Sequence, residues 1–224
     1  MRALILEHAE HENAGLVGEV LLQAGVACDV ARSWRGERAP NDADYALLVV
    51  LGGAMAAWDD ARHPWLADEA ALLAARARAD RPTLAICLGA QLLARGLGAA
   101  NWRGPTPELG LAPITLSDAG RADPLLAPFD GQPVLHWHSD TFALPPQATL
   151  LASTNAYEQQ AFRIGRNVYG LQFHVECSRA MRRDWAAHGE AELRAAGVDP
   201  ATLDGDDAID ARGRDFARAL LRLL

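Results

Sequence analysis

Short apolar segments alternate with amphipathic ones through the N-terminal part of this chain. Residues 45–51 (YALLVVL) are apolar throughout, which is typical of a strand covered on both faces by helices. Residues 65–79 are rich in Ala, Leu, Glu and Arg with apolar positions at helical spacing, and a second apolar run follows at 83–86. Because parallel strands require long crossover connections, this alternation predicts βαβ units and a mostly parallel α/β sheet flanked by helices.

The second half of the chain has a different pattern. Pro and Gly are frequent between residues 104 and 146, and the apolar segments are short, which favours antiparallel strands and loops. A further strand is predicted at 167–173 and a helix at 179–196. A length of 224 residues suits one substantial domain. We therefore expect a single α/β domain over residues 1–224, with an antiparallel strand extension and a C-terminal helical extension at 186–224.

Charge and composition exclude several classes of function. The formal net charge is -8 and no basic cluster is present, which argues against a nucleic-acid partner. All 21 basic residues are Arg, so a Schiff-base lysine and a P-loop lysine are excluded. No apolar run approaches the roughly 20 residues of a membrane span, and the N-terminus does not resemble a signal peptide. The three cysteines have no CxxC spacing, so we expect a reducing, cytoplasmic setting without a disulfide framework.

Cys87 stands where an apolar strand meets a helix, in the segment TLAICLGAQLL. A tight turn there lifts the side chain out of the sheet, as in the nucleophile elbow of hydrolases. The N-terminus of the following helix favours thiolate over thiol, and the thiolate is the nucleophile. Gln91 follows one helical turn later and shares a face with Cys87. The alternative is a small buried cysteine followed by a solvent-facing glutamine.

His174 and Glu176 lie two residues apart in the segment LQFHVEC. Side chains at this spacing on a strand project to the same face, so the carboxylate can orient the imidazole and stabilise its protonated form. The pair is therefore predicted to be a general base with its orienting acid. An edge-strand ion pair without a catalytic role is the alternative.

Three segments together resemble the signatures of class I glutamine amidotransferases: LGGAM at 51–55, ICLGAQLL at 86–93 and QFHVE at 172–176. HWHSDTF at 136–142 and AFRIG at 161–165 are similar to the stand-alone branch of that family that resembles the glutaminase of GMP synthase. The resemblance implies a flavodoxin-like sheet and a cysteine-nucleophile amidohydrolase.

The resemblance also implies roles for particular residues. Cys87 would be the nucleophile, His174 the general base and then acid, and Glu176 the residue that orients His174. The backbone N–H groups of Gly53 and Leu88 would form the oxyanion hole.

Three further residues are implied to bind substrate, namely Gln91, His138 and Ser139. The family usually has Pro after the second glycine of its glycine loop, whereas this chain has Ala54. The oxyanion loop is therefore expected to be less rigid here. The sequence contains no synthetase segment, so we expect the acceptor of ammonia to belong to a separate synthase subunit.

The sequence thus predicts a glutaminase that releases ammonia from glutamine, a small-molecule substrate, through a γ-glutamyl thioester on Cys87, without a cofactor. A γ-glutamyl hydrolase acting on γ-glutamyl peptides or conjugates is the first alternative. A non-catalytic binding module on the same fold is the second. A metal site at His136 and His138 with His174 is the weakest alternative, and none is predicted, because no local zinc spacing is present.

Some histidines and tryptophans are expected to lie outside the catalytic machinery. His8, His11, His63 and His188 are predicted to be surface or loop residues. Trp58 and Trp102 are the tryptophans proposed for the rim of the pocket, and the remaining tryptophans are expected to serve packing.

Overall fold

An eight-stranded sheet forms the centre of the structure, a computed structural model that describes residues 1–224. The strands of the chain are β1 (Arg2–Glu7), β2 (Ala27–Arg32), β3 (Leu47–Val50), β4 (Thr83–Ile86), β5 (Asn101–Pro113), β6 (Thr115–Leu116), β7 (Pro133–Phe142), β8 (Thr149–Ser153), β9 (Ala161–Ile164) and β10 (Val168–Leu171). The order in the main sheet is β2-β1-β3-β4-β10-β9-β8-β6, while β5 and β7 form a separate two-stranded sheet.

Helices cover both faces of the sheet. They are α1 (Gly15–Gln23), α2 (Trp65–Arg78), α3 (Leu88–Gly96), α4 (Asp118–Ala122), α5 (Arg179–His188), α6 (Glu190–Ala195) and α7 (Asp207–Leu220). None of them combines the length and hydropathy that a membrane-spanning segment requires.

The parallel half of the sheet is buried on both faces. Alternate residues of β1 belong to different cores: Ala3 and Ile5 pack with α1 and α7, whereas Leu4 and Leu6 pack with α2 and α3. The pairings among β2, β1, β3, β4 and β10 are all parallel. Continuous apolar strands are needed when both faces are covered, which explains the sequence of β3. The predicted α/β class and flavodoxin-like order are confirmed.

The antiparallel extension begins at β10, which pairs parallel with β4 but antiparallel with β9. Gly165 adopts φ +56° in the turn between β9 and β10, a conformation that glycine tolerates without strain. β8 and β6 continue the sheet with antiparallel pairing. The predicted strand extension is therefore confirmed.

Two predicted element boundaries were wrong. The strand predicted at 167–173 ends at Leu171, and an irregular segment with bends carries the chain onward. The helix predicted at 179–196 is divided at Gly189. A Cβ at Gly189 would overlap the indole of Trp137, so glycine is required there for tertiary packing, which the helical pattern does not show.

Arg182 joins α5 to the C-terminal segments from a fully buried position. Its guanidinium donates to the carbonyl oxygens of Cys177, Leu203 and Asp204 and to the carboxylate of Asp210, at 2.8–3.0 Å. We expect Arg182→Met to lower the free energy of unfolding by about 3–5 kcal/mol, because the half-buried carboxylate of Asp210 and three carbonyls lose the donor that Arg182 supplies. Urea denaturation monitored by tryptophan fluorescence measures this change.

Arg183→Met is the matched control for that variant. Arg183 is the next residue on α5, its side chain is 65% exposed, and it pairs with Asp204. Its replacement should change the free energy of unfolding by less than about 1 kcal/mol. Equal losses in the two variants would contradict the stabilising role given to the buried guanidinium.

Candidate active site

The turn after β4 holds Cys87 in an unusual backbone conformation. Cys87 has φ +52° and ψ -108°, which a residue with a Cβ adopts only under strain. Its N–H donates to the carbonyl of Leu171 on β10 at 2.7 Å, and helix α3 begins at the next residue. A Cβ at Gly89 would overlap the carbonyl of Val50, so this glycine lets α3 approach β3 closely. The predicted strand–turn–helix arrangement around Cys87 is confirmed.

His174 lies three residues beyond β10 and is fixed from two sides. Its N–H donates to the carbonyl of Leu135 on β7 at 2.9 Å, and its ring meets the indole of Trp185 edge-on at 4.9 Å. Nδ1 of His174 lies 2.7 Å from Oε1 of Glu176, and both side chains are buried. Burial disfavours the imidazolium, but the charge of Glu176 and the proximity of Cys87 outweigh this effect and raise the pKa of His174 well above its ordinary value.

Cys87 and His174 line one cavity, with a volume of about 540 Å³. The Sγ atom of Cys87 lies 3.8 Å from the carbonyl oxygen of Trp137. Nε2 of His174 has no hydrogen-bond partner within the protein, although it is buried. The side chain predicted as nucleophile and the side chain predicted as base therefore meet, and the second imidazole nitrogen is free to exchange a proton.

The glycine loop after β3 closes the same cavity. Neither the N–H of Gly53 nor the N–H of Leu88 donates to an acceptor of the protein, and Gly53 lines the cavity. A Cβ at Gly52 would overlap the carboxylate of Glu12, and one at Gly53 would lie 2.8 Å from atoms of His8 and Leu88. Glycine is thus required at position 53, whereas a Cβ at position 52 would displace the end of the Glu12 side chain. The N–H groups of Gly53 and Leu88 are available to bind an anion.

The three residues predicted to bind substrate all line the cavity. Gln91 is buried and donates through Nε2 to the carbonyl of Asp140 and to Gln172, and its own carbonyl oxygen accepts no hydrogen bond from the protein. Both nitrogens of His138 have protein partners, Glu108 and the carbonyl of Asp140, at 3.0 and 3.1 Å. Ser139 is half-buried and makes no side-chain hydrogen bond to the protein.

Glu12 was not predicted as a site residue, yet it lines the cavity. Burial raises the pKa of its carboxyl group above the ordinary value, although the nearby His174 and His8 act in the opposite direction. Glu12 follows the end of β1, and the carboxyl ends of parallel strands meet at one edge of the sheet. That rule could have identified residues 8–12 as candidates from the sequence.

The tryptophans at the cavity are not those expected. Trp137 and Trp185 line it, whereas Trp58 and Trp102 do not and are exposed. The indole of Trp185 donates to the carbonyl of His11 at 2.9 Å, which attaches α5 to the segment after β1. Packing residues therefore also form the wall of the cavity.

His8 lies in the loop after β1, as predicted, but it is buried and not on the surface. Its Nε2 lies 2.8 Å from Oε2 of Glu69 on α2. The expected exposure of His11 and His188 is confirmed, and their rings stack at the mouth of the cavity with centroids 4.6 Å apart. His63 is half-buried.

Two buried histidines and a half-buried glutamate together have the composition of a metal site. The ligand atoms of Glu108, His136 and His138 lie within 4.8 Å of one another, and His174 does not belong to this group. Glu108 accepts hydrogen bonds from Thr154 and Gln160 and also contacts His138, so its carboxylate already serves an internal network. Burial lowers the pKa of His136 to about 4, although the charge of Glu108 acts to raise it.

Comparison with known proteins gives a consistent result. A family model described as glutamine amidotransferase class-I matches residues 15–184. The chain is also 32% identical to YfeJ, a glutamine amidotransferase-like protein of Salmonella typhimurium, over an alignment that covers 100% of this chain and 89% of that protein.

Two further proteins are similar to part or all of this chain. A glutamine-hydrolyzing GMP synthase subunit of Saccharolobus solfataricus is 36% identical over 45% of this chain and 54% of its own length. The crystal structure of a glutamine amidotransferase from Thermotoga maritima superimposes with a TM-score of 0.88 at 30% identity, covering 100% of this chain and 97% of that chain.

Proposed function

We propose that this chain, which belongs to the class I glutamine amidotransferase family, hydrolyses the side-chain amide of glutamine to glutamate and ammonia. The observation that carries the proposal is that Cys87 and His174 line one cavity, while Glu176 contacts Nδ1 of His174 at 2.7 Å. Two unpaired backbone N–H groups beside Cys87 support it, because acyl transfer from an amide requires donors for a developing oxyanion.

In the first step, the thiolate of Cys87 attacks the δ-carbonyl carbon of glutamine. A carbon–sulfur bond forms, and the carbonyl π electrons move to oxygen, giving a tetrahedral oxyanion. The N–H groups of Gly53 and Leu88 donate to that oxygen. Each such donor lowers the barrier by about 3 kcal/mol in comparable sites.

In the second step, His174 protonates the amine through Nε2 as the carbon–nitrogen bond breaks. Ammonia leaves, and a γ-glutamyl thioester remains on Cys87. His174 then removes a proton from water, which attacks the thioester and releases glutamate together with the thiolate. Glu176 accepts the Nδ1–H of His174 throughout and thereby holds the ring in the orientation that presents Nε2 to the reacting atoms.

The polar groups that remain free around the cavity suit an amino-acid substrate. The carbonyl oxygen of Gln91 and the carboxylate of Glu12 accept hydrogen bonds from the ammonium or amide of the bound molecule. The hydroxyl of Ser139 donates to its carboxylate, beside the ring edge of His138. Arg103 also lines the cavity and supplies a positive charge for that carboxylate.

A second candidate is the hydrolysis of γ-glutamyl peptides or conjugates by the same chemistry. The volume of the cavity favours it, since about 540 Å³ suits a ligand larger than free glutamine. In that case an amine larger than ammonia would leave towards the mouth formed by His11 and His188.

The ammonia acceptor is proposed to be a separate synthase subunit. Similarity to the glutamine-hydrolyzing GMP synthase subunit of Saccharolobus solfataricus supports this arrangement. Ammonia release that increases when a candidate synthase is added would support the partnership, and an unchanged rate with every candidate would argue for a hydrolase that acts alone.

The test is a substrate comparison with the purified protein. Glutamate release is measured from glutamine and from a series of γ-glutamyl dipeptides at equal concentrations. Faster turnover of glutamine supports the first candidate, and faster turnover of the dipeptides supports the second. No turnover of either, together with unselective labelling by the chloroketone analogue of glutamine, would instead identify a non-catalytic binding module.

A further inference from the structure

The ring of His8 is enclosed by groups that accept hydrogen bonds. Nδ1 lies 2.9 Å from the carbonyl oxygen of Gly52 and 3.1 Å from that of Leu51, while Nε2 lies 2.8 Å from Glu69. The other oxygen of Glu69 accepts from the hydroxyl of Ser33 at 2.7 Å.

Both ring nitrogens of His8 therefore require a proton. A neutral imidazole has one N–H, whereas the imidazolium has two. Burial lowers the pKa of His8, but hydrogen bonding to Glu69, the charge of Glu69 and the Gly52 carbonyl outweigh burial and raise it. The ring also stacks on Trp65 with a centroid distance of 5.1 Å and an angle of 2° between the planes. The acceptors at both ring nitrogens and the stacked indole of Trp65 on α2 thus fix His8 in position.

The peptide that His8 contacts is the one that carries the N–H of Gly53. In a planar trans peptide, the C=O of one residue and the N–H of the next point in opposite directions. The chain contains no cis peptide, so a donor bound to the Gly52 oxygen directs the Gly53 N–H away from itself. Gly53 lines the cavity, whereas His8 does not. The N–H of Gly53 is therefore directed towards the cavity.

We propose, on the basis of the hydrolysis proposed above, that His8 is a positioning residue that preforms the oxyanion hole. Its imidazolium, anchored by Glu69, holds the Gly52–Gly53 peptide in the orientation that presents the Gly53 N–H to the substrate oxygen. A flip of this peptide would remove the N–H from the cavity and place a carbonyl there. Ala54 does not fix the backbone φ of the loop as a proline would, so the constraint on the Gly52–Gly53 peptide comes from His8, on the side of the loop opposite the cavity.

The test uses a double variant, His8→Phe/Glu69→Met. It removes the cation and its carboxylate together, so no unpaired buried charge remains, and the aromatic ring on Trp65 is kept. We expect kcat for the preferred substrate to fall by about 10²–10³-fold with little change in KM, as for loss of one oxyanion donor. Alkylation of Cys87 by iodoacetamide forms no oxyanion, so its rate should stay unchanged.

Glu69→Gln is the conservative control. The glutamine amide can donate to Nε2 of a neutral His8, which leaves Nδ1–H on the Gly52 carbonyl, so most of kcat should be retained. An unchanged kcat in the double variant would overturn the proposal. A parallel loss of kcat and of the alkylation rate would also overturn it, because the defect would then lie at the thiol or in the fold.

A readout without turnover separates this proposal from the proposed function. In nuclear magnetic resonance spectra, the Gly53 amide and the Gly52 carbonyl carbon should shift in the double variant and change little in Glu69→Gln. Identical Gly53 signals in the wild-type protein and the double variant would exclude the contact as a constraint, whatever the substrate. A shifted Gly53 signal in a protein that hydrolyses neither substrate class would instead leave the positioning intact and refute the hydrolysis.

Discussion

Replacing Cys87 with alanine should lower kcat for glutamine hydrolysis by at least about 10⁴-fold, since no other group can form the thioester. Cys87 is the one cysteine that lines the cavity with His174. The fold should be unaffected, because alanine is smaller and the thiol makes only one weak hydrogen bond, to the carbonyl of Trp137. Release of glutamate and of ammonia from glutamine, each measured over time, gives the rate.

Cys28→Ala is the control for the loss of a thiol. Cys28 is half-buried on β2, away from the cavity, and its replacement should leave kcat within about twofold, as expected for a site outside the active centre. Labelling of the wild-type protein with the chloroketone analogue of glutamine should modify Cys87 and neither Cys28 nor Cys177. Equal rates of glutamate release in wild type and Cys87→Ala would remove the nucleophile from the mechanism.

Glu176→Gln should lower kcat by about 10³–10⁴-fold, because an amide does not stabilise the imidazolium and can favour the wrong tautomer of His174. It should also lower the pKa of His174, since the carboxylate opposes the effect of burial. The loss of kcat is measured with the same assay, and the pKa by titration of the His174 ring signals in nuclear magnetic resonance spectra.

The same variant should change how stability depends on pH. A histidine whose pKa is raised on folding stabilises the native state below its unfolded pKa of about 6.5, and this contribution is lost as the pH rises through the folded pKa. The difference in free energy of unfolding between wild type and Glu176→Gln should therefore be largest under weakly acidic conditions and shrink as the pH rises. A difference in free energy of unfolding that stays constant as the pH rises from weakly acidic values would contradict the coupling between the charge of His174 and Glu176.

Glu190→Gln is the control for removal of a carboxylate. Glu190 is exposed on α6 and pairs with Arg194 on the same helix, so kcat and the pH dependence of stability should both be retained. Similar losses of kcat in both glutamate variants would indicate a general effect of charge and not the orientation of His174.

Local patterns predicted the parts of the site that depend on one turn or one strand end. The strand, the turn at Cys87 and the helix after it follow from the apolar run and the glycine at 89, and both lie within a few residues. The pairing of His174 with Glu176 follows from their two-residue spacing, even though the regular strand ends at Leu171. A parallel sheet gathers such strand ends at one edge, so the meeting of these groups was predictable.

Local patterns could not show what the packing of distant helices brings to the site. The burial of His8 depends on α2, which contributes Glu69 from 61 residues further along the chain. The tryptophans at the cavity wall are likewise set by α5 and β7, because Trp185 and Trp137 meet edge-on with their ring centroids 5.9 Å apart. Helical or strand periodicity predicts that such side chains pack, but it does not predict against which loop they pack.

The left-handed backbone at Cys87 also bears on the origin of the residue at that position. A side chain held at positive φ raises the free energy of the folded state by about 1–3 kcal/mol, a penalty that glycine avoids. A sequence optimised for thermal resistance alone would therefore carry glycine at position 87. The cysteine found there is best understood as a compromise between durability and reactivity, with the surrounding sheet holding the thiol in a conformation that it would not adopt in a free peptide.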